Sequence, residues 1–231
     1  VDATRVLDPV FSTDRQVYDD IAAESTRNET EPYMLTYILD PTPEKKEVIR
    51  HLSEKLGLRT LHILDGTPWN YESNKEKMSM DTILENVTFQ DWVYYFKHSS
   101  YVLTDSCHGM SFAIIYHKPF AGIGNAHRGM TRFASLTKLF HVEDRFVTDP
   151  LDIIKSDHFL EPMDYTQVEE IMAKEKAFFR EWLKNAMMSE KVVKTYQAYP
   201  VKVETTEASD IQVKLHEPVQ VKQTFLRRVY Y

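Results

Sequence analysis

The sequence predicts an α/β fold, a Rossmann-like parallel sheet covered by helices. Three observations carry this. Apolar, β-branched runs alternate with helix-periodic segments from 32 to 147. The first three segments, 32–66, form a strand–helix–strand unit, a connection that joins parallel strands. Several helical segments also carry their own start and stop signals.

The elements follow in order. "PYMLTYIL" (32–39) reads as a buried strand, closed by Asp40 and Pro41. "TPEKKEVIRHLSEKLGL" reads as a helix: Thr42 caps it, Pro43 takes the first position, Glu44 adds early negative charge and Gly57 ends it. Val48, Leu52, Lys55 and Leu56 fall on one side at helical spacing. "RTLHILDG" (59–66) is the second strand. The polar stretch 67–88 is expected to be a long loop, and loops of that length are usually functional or disordered. Residues 88–99 read as a helix capped by Thr88, with Phe89, Trp92, Val93 and Phe96 inward. "YVLTD" (101–105) is a strand, "GMSFAIIYH" (109–117) a helix and "KPFAGIG" (118–124) a strand. "MTRFASLTKLF" (130–140) is a helix, and 145–147 a last short strand. From 150 the character changes. A long amphipathic helix starts at Asp164, with Ile171, Phe178, Trp182 and Leu183 as its apolar side. The tail 199–231 alternates with period two and reads as extended chain.

Four units result: 1–31 as a linker or the end of a missing N-terminal domain, 32–160 as the Rossmann-like domain, 161–198 as the long helix, and 199–231 as the tail. The chain opens on Val1, without Met and without a basic-then-apolar signal pattern, so residues are expected upstream.

Composition narrows the function. The chain has 231 residues, 42% of them hydrophobic and 27% charged, and a net charge of −7. That acidity argues against general affinity for nucleic acid or anionic membrane. No apolar stretch reaches the roughly 20 residues that span a bilayer. A single cysteine excludes an internal disulfide framework and a multi-cysteine zinc site, and fits the cytoplasm. The sequons at Asn28 and Asn86 read as chance matches.

In open parallel sheets, ligands bind beyond the C-terminal strand ends. That rule selects Asp40, Asp65–Gly66, Thr104 to Gly109 and Gly124 to Arg128. "TDSCHGM" (104–110) joins a strand to a helix, where free amides and the helix dipole favour an anion. Ser106 can cap the helix or hold a phosphate oxygen, Gly109 admits a close approach, and His108 is a candidate acid or base. The alternative is an ordinary turn, in which Asp105 or Ser106 caps, Cys107 fills core and His108 is a surface histidine. A Cys107–His108 dyad is disfavoured, because neighbours in a turn point apart. No metal-ligand spacing appears. A second constellation, "GIGNAHRGMTRF" (122–133), supplies Asn125, His127, Arg128 and Arg132, and guanidinium groups suit phosphate or carboxylate. Trp69 and Tyr71 are candidates for stacking.

"VLDPVF" (6–11), "YMLTYILD" (33–40), "YVLTDSCHGMSFAIIYHKPFAGIGN" (101–125) and "RGMTRFASLTKLF" (128–140) occur in an order that resembles the C-terminal half of the polysaccharide pyruvyl transferase family. The resemblance covers about 1–190 and is most specific at 101–140. It implies the C-terminal domain of a two-domain fold similar to B-type glycosyltransferases. It also implies transfer of a pyruvyl group from an anionic donor such as phosphoenolpyruvate to a sugar of a bacterial surface polysaccharide. Phosphoenolpyruvate enters as co-substrate; no cofactor or metal is implied. The family motif, commonly Ser-x-Arg-x-His-Gly, matches at His108 and Gly109, and His108 is the residue it implies for proton transfer. Ser106 stands where the motif has arginine, so Arg128 or Arg132 is expected to supply the cation. Many chains of the family carry a Thr-Asp-Ser-aromatic-His-Gly variant, in which Cys107 takes the aromatic position. The site residues are thus His108 as catalytic group, with Asp105, Ser106, Gly109, Asn125, Arg128 and Arg132 for substrate. The expected partners are the anionic donor, a sugar or polysaccharide acceptor, and the missing N-terminal half, without which the isolated chain is expected to be inactive; a homo-oligomer is the alternative. The competing functions are a non-catalytic glycan- or nucleotide-binding module and a glycosyltransferase using a nucleotide sugar.

Overall fold

The computed structural model describes residues 4–188, so the tail predicted at 199–231 lies outside the described residues. Five strands, β1 (Tyr33–Ile38), β2 (Arg59–Leu64), β3 (Tyr101–Thr104), β4 (Phe120–Ile123) and β5 (Phe146–Val147), form one sheet in the order β2-β1-β3-β4-β5. Every pairing is parallel. The α/β class and the parallel sheet are therefore as the sequence predicts. The chain leaves β1 towards β2 on one side and returns on the other side at β3, so the topological switch point lies between β1 and β3.

Among the described residues eight α-helices accompany the sheet: α1 (Pro9–Ser12), α2 (Arg15–Ala23), α3 (Pro43–Leu56), α4 (Pro68–Met78), α5 (Phe89–His98), α6 (Cys107–Ile115), α7 (Met130–Phe140) and α8 (Thr166–Met188). Side chains alternate across the strands, so the sheet separates two cores. Met34, Ile38, Leu103 and Ile123 meet Val48, Ile49 and Leu52 of α3, with Met78 of α4 and the 3-10 segment residues Ile153 and Phe159. On the opposite face, Tyr33, Leu35, Val102 and Phe120 meet α5, α6 and α7. Leu7, Phe11, Tyr18 and Ala22 join this second core, so the segment read as linker folds α1 and α2 onto the sheet domain.

Local signals explain most boundaries. The Thr42 hydroxyl accepts from Lys45 N, and Gly57 closes α3 at φ +64°, where a Cβ is strained. Thr88 and Asp91 form a reciprocal capping box on α5. Ser106 caps α6, which opens at Cys107, two residues before the expected start.

The structure departs from the expected loop at 67–88. Thr67-Pro68 opens α4, and Ile83 then pairs with His62 at the sheet edge. The start signal is present, but α4 has no apolar stripe; among its described side chains only Asn74 and Met78 are buried. On α8, Ile171 packs on the core as expected, with Phe179 rather than Phe178 beside it. Val168 and Met172 are buried, whereas Phe178 is 45% exposed. Phe89, expected inward, is 56% exposed and stacks on Trp92. Among the described residues no helix is long and apolar enough to cross a membrane.

Candidate functional site

The ends of β1, β2, β3 and β4 converge at one edge of the sheet, and Asp105 sits at their centre. It follows β3 directly and is fully buried. Its Oδ1 accepts from Leu39 N at 2.6 Å and its Oδ2 from Asp40 N at 3.1 Å. Lys45 reaches from the first turn of α3 and donates to Oδ2 at 2.7 Å and to Asp40 O at 2.8 Å. Asn125 completes the set, donating to Asp105 at 3.3 Å and to Asp40 Oδ2 at 2.5 Å. At the switch point, where such sheets take a ligand, two backbone amides are thus already taken by a protein carboxylate. Asp105 is placed as the pin that joins β1, α3 and the β4 exit. Lys45 was not singled out by sequence; its position at the third residue of α3, beside a strand end, was the only signal.

Arg128 lies above this pin. Its guanidinium donates to both oxygens of Asp40, at 3.1 and 3.3 Å, and to Asp65 Oδ2 at 2.8 Å. Burial raises the pKa of each carboxylate. Hydrogen bonds from Arg128, with Asn125 helping at Asp40 and Thr67 at Asp65, outweigh it and hold both below the ordinary carboxylate range. Three strand ends are cross-linked this way, and the Arg128 charge is matched within the protein.

The second cation takes a different place. Arg132, in the first turn of α7, brings Nη2 to 3.4 Å from His108 Nε2. His108 is the second residue of α6 and is exposed at the surface. Burial of part of its ring lowers its pKa, the Arg132 guanidinium lowers it further, and Asp8, the cap of α1, opposes them. At neutral pH the ring is therefore uncharged and can accept a proton. Among the described residues no group of three or more His, Cys, Asp or Glu side chains could hold a metal ion.

The remaining motif residues serve the turn. The Ser106 hydroxyl accepts from Gly109 N at 3.3 Å, and Ser106 N donates to the Thr104 hydroxyl at 3.1 Å. Gly109 is dictated by packing. A Cβ there would stand 2.2 Å from Thr104 Oγ1, so only glycine lets α6 start this close to β3. Cys107 packs against the core, and burial pushes its thiol up to about 11, so it stays protonated near pH 7.

An open cavity of about 500 Å³ lies at the same edge, between β1, the β4 exit and Pro150. Asp40, Glu44, Asn125, His127 and Asp149 line it. Trp69, 79% exposed at the start of α4, stands beyond the end of β2. The structure therefore brings together Asp105, Asn125 and Arg128 in one network, and His108 with Arg132 in another. Their spacing in the sequence groups the two arginines; the fold gives them different partners.

A family model described as polysaccharide pyruvyl transferase matches residues 1–127. The matched stretch takes in β1 to β4 and His108, and ends before Arg128 and Arg132. No curated protein matches the chain. Among solved structures, one titled "Structure of the Wall Teichoic Acid Polymerase TagF" is similar at 13% identity and a TM-score of 0.36. That likeness covers 78% of this chain and 50% of the other, so the chain spans half the length of that structure.

Proposed function

The chain belongs to the polysaccharide pyruvyl transferase family, and from that premise we propose that it moves a pyruvyl group from phosphoenolpyruvate, or a related anionic donor, to sugar hydroxyls of a polysaccharide. The observation that supports this reading is the His108–Arg132 pair at the mouth of α6. Two requirements of the chemistry meet there.

The donor carries a carboxylate and a phosphate, and a guanidinium binds either in a bidentate fork. Arg132 fills the role of the cation that Ser106 leaves open. Arg128, bound to Asp40 and Asp65, is the second guanidinium at this edge. The reaction also moves protons. Two sugar oxygens bond to C2 of the donor, the phosphate leaves, and the methylene carbon becomes a methyl group. Of the two hydroxyl protons released, one ends on that carbon and the other on phosphate. A neutral His108 takes a hydroxyl proton and, once charged, can return it to the methylene carbon.

The test is transfer itself. Wild-type protein and His108→Ala, each prepared as this chain and with any natural residues encoded upstream of Val1, are given phosphoenolpyruvate and polysaccharide. Ketal formation by wild type and a loss of about 100-fold or more in the variant are expected. Full transfer by His108→Ala contradicts the assignment.

A further inference from the structure

We propose that the cavity between β1 and the β4 exit binds a neutral, hydroxyl-rich sugar, and that it is the acceptor subsite; the second half rests on the transferase reading above. The argument is one of hydrogen-bond supply. Asp40, Glu44 and Asp149 give the wall three carboxylates. Lys45, the lysine on the wall, is committed to Asp105 and to Asp40 O. The nearby Arg128 is committed to Asp40 and Asp65. What the wall has left to offer is mostly acceptors.

Asn125 sharpens this. It is 4% exposed, and its NH₂ group is held by Asp40 and Asp105. Its Oδ1 makes no hydrogen bond among the described residues. That oxygen is not sealed from solvent, so a ligand hydroxyl can reach it and donate to it. Asp40 Oδ1, with a single bond from Arg128, has a lone pair left as well. His127 can donate or accept. Three carboxylates repel a phosphate or carboxylate, whereas sugar hydroxyls donate to them. At about 500 Å³ the cavity lies in the usual range for small-molecule sites. The site thus complements the His108–Arg132 pair in charge: one mouth suits the anionic donor, the other a neutral acceptor.

The test is binding, read by calorimetry and by the Asn125 side-chain amide resonance of the ¹⁵N-labelled full chain. The probes are a panel of neutral methyl hexosides, glucose 6-phosphate and magnesium chloride. At least one neutral hexoside is expected to shift the Asn125 amide. Glu44→Gln and Asp149→Asn should each weaken it by about tenfold. Glu44 is exposed at the start of α3, so its variant reports on the site even if Asp149→Asn fails to fold. No shift with any hexoside, tighter binding of glucose 6-phosphate than of every neutral sugar, or a shift with magnesium alone would overturn the site. A chain that binds the hexoside but transfers nothing overturns the transferase reading and leaves the sugar site. A chain that transfers without shifting Asn125 overturns the site alone.

Discussion

Asp105 and Lys45 face each other at 2.7 Å with side chains 0% and 7% exposed. Removing one member of such a pair strands the other charge in the interior. Asp105→Ala should therefore cost about 3–5 kcal/mol in urea unfolding, and a loss under 1 kcal/mol would contradict its role as pin. His62 makes a pH-dependent prediction. It is fully buried in β2, bonded to the Thr36 and Thr60 hydroxyls, and burial lowers its pKa to about 4. The unfolded chain binds that proton near pH 6.5 and the folded chain does not. Stability should fall by about 3 kcal/mol as pH drops from 6.5 to 4, then level off for this group. His62→Gln should remove that slope, and unfolding curves at pH 7 and 4.5 that change equally in both proteins would refute it. At this scale the sequence singled out Asp105, Asn125 and Arg128 by their place at strand ends. It did not show their partners. Lys45 and Asn125 are 60 and 20 residues from Asp105, and only the folded sheet sets them side by side.

The elements were legible where two signals coincided. In α3 and α5 a capping residue precedes an apolar stripe, and both helices form over the expected residues, with Lys55 and Phe89 turned outward. In α4 the cap-and-proline start stands alone. A polar helix held by Tyr71 and Met78 at one edge carries no periodic stripe to detect. Helix α6 was legible as a helix, but its register depends on contact with β3. Gly109→Ala tests that contact directly. The added methyl would lie 2.2 Å from Thr104 Oγ1, and the strand cannot yield without disturbing the Thr104 bond to Tyr37 O. A loss of about 1–3 kcal/mol is expected, against a gain if helix propensity alone decided the outcome. The two arginines belong to this scale too. Arg128 lies in the 3-10 turn before α7 and Arg132 within α7, and Gly129 between them, at φ +90°, breaks the helix, so the two reach different partners. Sequence spacing placed both near the edge. Which one faces carboxylates and which faces His108 depends on where Asp40 and Asp65 end their strands.

For the whole molecule, the parallel sheet and its C-terminal edge were readable because five apolar runs alternate with helices. The division of that edge into a pinned centre, a cationic mouth and an acceptor-rich cavity was not, since each part draws residues from two or more elements. The division has a kinetic consequence. If His108 is the base and Arg132 holds it neutral, catalysis needs the unprotonated ring, so the rate falls as pH drops through its pKa. That pKa is below the ordinary histidine value of about 6.5 because of burial first and Arg132 second. The direct test is the pH profile of kcat/KM for transfer from phosphoenolpyruvate in wild type and Arg132→Ala. An acid limb below 6.5 in wild type is expected, moving up in the variant, together with a raised KM for the donor. A profile without an acid limb, or a limb that stays in place when Arg132 is removed, would contradict the His108–Arg132 account.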